Sequence, residues 1–390
     1  MRSKRLEQLP PYLFVEIDRL RESYLRSGRT LLDLGIGDPD LGAPPELVEA
    51  LGRALSTISH HRYPPGRGLP RLIDAVRSWA LEHHGVALER DEVLVTIGSK
   101  EAIAHLPLAI VNPGDAVLVP DPGYPVYHSS AIFAGAASVR MPLDEAHAFR
   151  PRLRELDAGD VAGARLMFLN YPNNPTAAVA DRAFYREAID FSREHSIVLA
   201  SDAAYSEIWY EEPTVPLFPS AREADVPYIE FFSFSKTFSI TGWRVGFAVG
   251  SREIIASLAQ LKNNIDSGVF GALQEAVADT MERHYGKIMD GIRAAYRERR
   301  DVLAAHLIRS GLSFTVPRAT FYFWIRTPDG AGSMDFCRIL LEECGIIATP
   351  GVGFGGNGEG YFRLSITADT ETVREAGRRI EALHPRIAAG

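Results

Sequence analysis

Lys236 ends an apolar run. Tyr228 to Phe234 leads into Ser235-Lys236-Thr237-Phe238. A strand that delivers a lysine to low-dielectric surface disfavours the ammonium. The amine can then reach its neutral, nucleophilic form near neutral pH. Such an amine can condense with a carbonyl. The same pattern also fits a lysine at a strand end that snorkels to water. Arg244 follows eight positions on, beyond a turn containing Gly242. The hydroxyls of Ser233 and Ser235, with the guanidinium fork of Arg244, suit a phosphate dianion.

A reactive lysine beside a phosphate cup points to pyridoxal 5'-phosphate (PLP). Four other stretches offer what that group needs. Gly98-Ser99-Lys100 follows the strand-like run 92–97 and opens a helix, whose free amides attract phosphate. A serine there also serves as an ordinary cap. Tyr124, in Asp121-Pro122-Gly123-Tyr124, falls at a strand's C-terminal edge, where α/β proteins bind ligands. Its ring could stack on a pyridine or pack on the core. Asn174, in Asn173-Asn174-Pro175-Thr176, can donate to the ring oxygen or serve a turn. A cis bond to Pro175 is an option there. Asp202 ends the apolar run Val198–Ser201. A buried carboxylate needs a partner. The protonated pyridine nitrogen would be one, and helix capping is the other reading. Tyr205 would then reach the ring oxygen together with Asn174.

Alternating elements must position these groups. Apolar strands are predicted over 92–97, 116–119, 137–141, 166–169, 198–201, 229–234 and 245–249. Helical stretches at 100–110, 127–134 and 182–194 separate several of them. Such alternation predicts a largely parallel sheet covered on both faces. The connection 235–244 is too short for a parallel crossover, so the last strand runs antiparallel to its predecessor. An amphipathic helix is predicted over 12–27, and a long connecting helix over 285–307. A smaller α+β unit follows, with strands near 313–316, 320–326 and 361–367.

The run Ser233 to Gly246 closely resembles the lysine segment of the class I/II aminotransferases, PLP enzymes of fold type I. The resemblance covers nearly the whole chain. It implies a large domain, 40–285, with a mixed, mostly parallel seven-stranded sheet, and a smaller α+β domain made of 1–39 and 286–390. It implies a ping-pong exchange of an amino group between an amino acid and a 2-keto acid. Lys236 would carry the cofactor as a Schiff base and move protons, with Asp202 and Tyr205 as its catalytic partners. Ser99, Lys100, Tyr124, Asn174, Ser233, Ser235 and Arg244 would also hold the cofactor. Tyr63 would touch the cofactor phosphate across a homodimer interface. Gly37 and Arg363 would meet the substrate carboxylate, Arg363 as a bidentate pair. Several runs, among them Gly35 to Asp40 and Lys262 to Phe270, look closest to the LL-diaminopimelate aminotransferase branch. In that branch Tyr12 and Asn264 would line the substrate pocket. Ala102 and Ala177 stand where glycine is usual.

Composition sets outer bounds. The 390 residues are 46% hydrophobic and 24% charged, with a net charge of −8. That is globular composition without the basic surface nucleic acid requires. Two cysteines predict no disulfide framework and fit a cytoplasmic setting. Cys337 is expected in the core or on a helix face. No apolar run reaches the roughly 20 residues of a membrane span. No metal is expected, since the adjacent pairs His60-His61 and His83-His84 cannot share a helix face. Two rivals share the cofactor residues: a carbon–sulfur β-lyase and a non-catalytic PLP-binding regulator. The regulator usually carries an added DNA-binding module, and only about thirty residues precede the first strand.

Overall fold

A computed structural model describes residues 3–9, 24, 26 and 30–387. Tyr12 and most of the segment 12–27 lie outside the described residues.

A seven-stranded sheet carries the site. Its strands are β2 (Val93–Thr96), β3 (Ala116–Asp121), β4 (Ala137–Pro142), β5 (Ala164–Asn170), β6 (Val198–Asp202), β7 (Tyr228–Ser233) and β8 (Gly246–Gly250). The spatial order is β2-β8-β7-β6-β5-β3-β4. β8 alone runs against its neighbours, pairing antiparallel with both β2 and β7. The link from β7 to β8 is too short to cross the sheet, as its length predicts. Every residue of β3 and β7 is buried. Such runs are mostly apolar because helices cover both faces of a mostly parallel sheet; buried Glu230 in β7 is an exception, held by Ser201 Oγ and the Leu217 and Phe218 N–H groups. Leu106, Val117, Phe168 and Phe231 fill one face, and Trp79, Leu199, Phe232 and Phe247 fill the other.

A second set of strands follows the 39-residue helix Gly271–Arg309, which begins earlier than the pattern over 285–307 predicts. β9 (Tyr322–Arg326), β11 (Thr349–Pro350) and β12 (Tyr361–Ser365) form an antiparallel sheet, in the order β11-β12-β9. β1 (Leu32–Asp33) pairs in parallel with β10 (Ile346–Ile347), so the N-terminal segment packs beside the C-terminal part. Cys344 is buried in the helix Ser333–Cys344, and Cys337 is partly covered there. Among the described residues no helix is long and apolar enough to cross a membrane.

Candidate active site

Three adjacent strands end in polar residues at one place. Asn170 closes β5, Asp202 closes β6 and Ser233 closes β7. All three line a cavity of about 440 Å³. That is within the usual range for a small-molecule site, roughly 300–1,000 Å³. Gly37, Ser99, Lys100, Tyr124, Asn174, Tyr205, Ser235, Lys236, Arg244 and Arg363 line it too. The structure thus gathers groups separated by up to 326 residues, from Gly37 to Arg363.

Lys236 sits in the single helical turn Phe234–Thr237 that follows β7. Its Nζ donates to the Gly37 carbonyl at 2.9 Å. Burial pulls its pKa down to about 8; Asp38 raises it, and Arg363 and Arg244 lower it further. A neutral amine is therefore within reach at ordinary pH.

Asp202 is 4% exposed. Its Oδ2 accepts the Tyr127 hydroxyl at 2.7 Å, and its Oδ1 accepts the Ala204 N–H at 3.1 Å. Both donors are neutral. Burial pushes the carboxyl up to about 6 against those two hydrogen bonds. A cation delivered by a ligand would satisfy it. Asn170 fixes the same strand end, its Nδ2 donating to the Asp202 carbonyl at 2.7 Å.

The opposite end suits a phosphate. Gly98, at φ +71°, opens the helix Gly98–Ile110. A Cβ on Gly98 would lie 2.6 Å from Arg244 Nη2, and one on Gly246 would lie 3.1 Å from the Ser99 amide. Glycine at both places lets the guanidinium and the helix start approach each other. Arg244 is held by the Thr241 carbonyl at 2.7 Å, with the Ser235 hydroxyl at 3.4 Å.

Arg363, on β12, is 2% exposed. Its Nη1 donates to Asn174 Oδ1 at 2.7 Å, and its Nη2 to the Gly35 carbonyl at 2.7 Å. The guanidinium lies over the Tyr322 ring, 4.1 Å from its centroid. The Tyr322 and Tyr205 hydroxyls are 2.9 Å apart. Burial lowers the Arg363 pKa, opposed by Tyr322, Tyr205 and Tyr124. The Asn174–Pro175 bond is cis.

Two residues predicted for the site are not in this cavity. Tyr63 is 88% exposed. Asn264 is exposed, and its Nδ2 bonds the Gln260 carbonyl at 2.8 Å. Conversely, Tyr127, Asn170 and Tyr322 went unassigned. Asn170 gave the signal Asp202 gave, a polar residue closing an apolar run. Tyr127 and Tyr322 gave none, because a buried tyrosine reads as core.

Residues 29–380 match the family model for aminotransferase class I and II. The chain is a class I/II aminotransferase. This aminotransferase is 46% identical over 387 residues to the LL-diaminopimelate aminotransferase of Syntrophobacter fumaroxidans, covering 98% of this chain and 99% of that one. The LL-diaminopimelate aminotransferase of Aquifex aeolicus is 44% identical over 385 residues, with 98% of each covered. Among solved structures, substrate-bound BacF from Bacillus subtilis superposes with TM-score 0.91 at 35% identity, covering 98% of both chains. A single mutant of Thermus thermophilus aspartate aminotransferase gives TM-score 0.91 at 28% identity, covering 98% of this chain and 100% of that one. The fold is therefore that of the fold type I PLP enzymes, and this aminotransferase works with PLP.

Proposed function

We propose that this aminotransferase moves the amino group of LL-diaminopimelate, or of an amino acid much like it, to a 2-keto acid by a ping-pong mechanism. The observation that carries the substrate class is the near full-length similarity to enzymes of that name. The cavity supplies an amine, a buried carboxylate and a buried guanidinium in one place.

The residues present fit PLP. Among the described residues the Asp202 carboxylate has two neutral donors and no cation bonded to it, so a protonated ring nitrogen would complete it. Missing Cβ atoms at Gly98 and Gly246 leave the helix start and Arg244 close together, as a phosphate requires. Ser99, Lys100, Ser233, Ser235 and Arg244 would hold that phosphate. Tyr124 would face the ring. Asn174 and Tyr205 would meet the ring oxygen. When bound, PLP supplies an aldehyde carbon and an electron-withdrawing ring that stabilises the charge left at a deprotonated Cα.

The chain's own residues do the rest. Lys236 holds the cofactor through its amine and, once released, carries the proton removed from the substrate Cα. Arg363 receives the α-carboxylate with the backbone at Gly37 beside it. Because Arg363 takes Asn174 Oδ1, the amide's Nδ2 is left to donate elsewhere. Tyr322 braces Tyr205 in the same way, hydroxyl to hydroxyl.

The division into a domain of 40–285 and one of 1–39 with 286–390 belongs to this reading, as does a cytoplasmic setting. So does a homodimer with shared sites. Ile58, Tyr63, Ile265 and Phe270 are exposed apolar side chains that a second copy would cover. Tyr63 would then reach the partner's phosphate, and Tyr12 and Asn264 the substrate. Sedimentation of the protein and of Ile58→Asp checks the dimer.

The deciding experiment follows the visible absorption of the purified PLP-loaded protein while single amino acids are added. LL-diaminopimelate should change the spectrum and yield a keto acid with aminated cofactor. Silence with LL-diaminopimelate and a response to another amino acid would overturn the substrate reading. Release of pyruvate and ammonia would overturn transfer itself.

A further inference from the structure

We infer that Lys262 is a positioning residue for the phosphate end of the site: its buried ammonium offsets part of the carboxylate charge that Glu101 brings to the first turn of the helix that faces the phosphate. The inference rests on the reading that Ser99, Lys100 and Arg244 receive that phosphate.

Lys262 occupies the last turn of the helix Arg252–Ile265 and is 1% exposed. Its Nζ donates to Glu101 Oε2 at 3.2 Å, and to Asp266 Oδ1 and Oδ2 at 2.8 and 2.9 Å. Glu101 Oε2 also accepts the Ile97 N–H at 3.0 Å, and its Oε1 meets His105 Nδ1 at 2.7 Å. Asp266 accepts the Gly268 N–H at 2.7 Å. Ligand atoms of Glu101, His105 and Asp266 lie within 4.8 Å of one another, close enough to gather round a cation. The lysine ammonium is that cation.

A buried ammonium is costly unless carboxylates meet all its protons. Here they do, so the question is what the arrangement secures. Glu101 immediately follows Ser99 and Lys100. Its carboxylate reaches back to the Ile97 N–H and so fixes the turn through Gly98. That satisfies a backbone donor at the helix start. Without the ammonium, the same carboxylate would repel a phosphate dianion at the helix start, in a medium that screens poorly. Lys262 keeps the cap and lowers the repulsion, because without it Glu101 and Asp266 would stand as two carboxylates with no ammonium between them. Asp266, the residue just past the end of that helix, gives the ammonium a second anchor four positions on.

PLP, and pyridoxal, which lacks the phosphate, are titrated into the apo protein and followed by absorbance. The proteins are the parent, Lys262→Met, Glu101→Gln and the double variant. Lys262→Met is expected to weaken PLP by about tenfold or more, the scale of one charge-assisted contact, and to change pyridoxal by under about twofold. In the double variant a neutral glutamine still accepts the Ile97 N–H, and PLP affinity should return to within about threefold of the parent. Equal losses for PLP and pyridoxal, or no rescue, would overturn the inference. Should Lys262→Met fail to fold, Glu101→Gln alone decides: it should tighten PLP, and looser binding sinks the idea. Arg244→Gln is the control. If it lowers PLP affinity selectively and Lys262→Met does not, only the role of Lys262 is lost. If neither does, the phosphate site itself has been misplaced.

Discussion

Arg363 and Asn174 are joined by one short bond, Nη1 to Oδ1 at 2.7 Å, across 189 residues of chain. It ties β12 to the loop after β5. The guanidinium that would grip a substrate also orients an amide that would grip the cofactor. Lysine at 363 keeps a charge and loses the fork. Arg363→Lys should raise KM for the amino acid by about 100-fold, since two charge-assisted hydrogen bonds are at stake. PLP affinity should move by less than about threefold, because Asn174 keeps its backbone tie, its N–H donating to Asn170 Oδ1 at 2.9 Å. Steady-state kinetics and PLP titration check both numbers.

Capture of PLP by the apo protein should depend on pH through Lys236. Only the neutral amine attacks, so the rate should climb about tenfold per pH unit and level off above about 8. Asp38 holds that pKa up. Asp38→Asn should therefore move the plateau to lower pH, and Lys236→Ala should abolish covalent capture. Stopped-flow absorbance across pH 6–10 reads all three. A rate independent of pH would show that another step limits capture.

Asp202 should burden the apo protein. Its folded pKa, about 6, lies above the ordinary 3.8, so the folded state binds the extra proton between those values. Stability therefore falls as pH rises through that window, and the full deficit persists above 6. The gap of about two units corresponds to about 3 kcal/mol. Apo Asp202→Asn should be more stable than the parent at pH 7–8 by up to that amount. The gain should shrink below pH 6 and vanish below about 3.8. With PLP bound the same change should cost at least about 100-fold in kcat. Urea unfolding at several pH values and single-turnover rates check it.

Ala177 holds φ +58°, the left-handed conformation, at the place where the resemblance leads one to expect glycine. The backbone keeps the glycine shape without the glycine, and Asn174 still lines the cavity. An L-residue there costs about 1–2 kcal/mol. Ala177→Gly should recover about 1 kcal/mol of that, less the extra freedom glycine has when unfolded. Activity should stay within about twofold. Thermal unfolding measures the gain.

Much of this site could be read before folding because its strands are largely apolar and close on a polar residue. Val198 to Ser201 ends in Asp202, and Tyr228 to Phe232 ends in Ser233 just before Lys236. A polar group at the close of such a run lies at the sheet's edge, where ligands bind. The antiparallel β8 was legible from the shortness of one loop. Other parts depend on contacts that spacing does not encode. Tyr127 matters because Asp202 lies across the fold, 75 residues away. Tyr322 matters because Tyr205 lies 117 residues away. Lys262, in the last turn of an amphipathic helix, reads as an ordinary surface cation until its three carboxylate oxygens are seen. Tyr63 and Asn264 lie outside the cavity of one chain.

The segment 35–37 hangs from side chains by three successive carbonyls. Thr349 and Arg363 hold Gly35, Thr367 holds Ile36, and Lys236 holds Gly37. The last of these hooks is the amine the reaction employs. Whenever that amine is committed to other chemistry, the Gly37 carbonyl loses its donor and the strap after β1 loosens at its far end. Amide hydrogen exchange at Gly37, Asp38 and Asp40 should thus run faster with the lysine occupied than with it free.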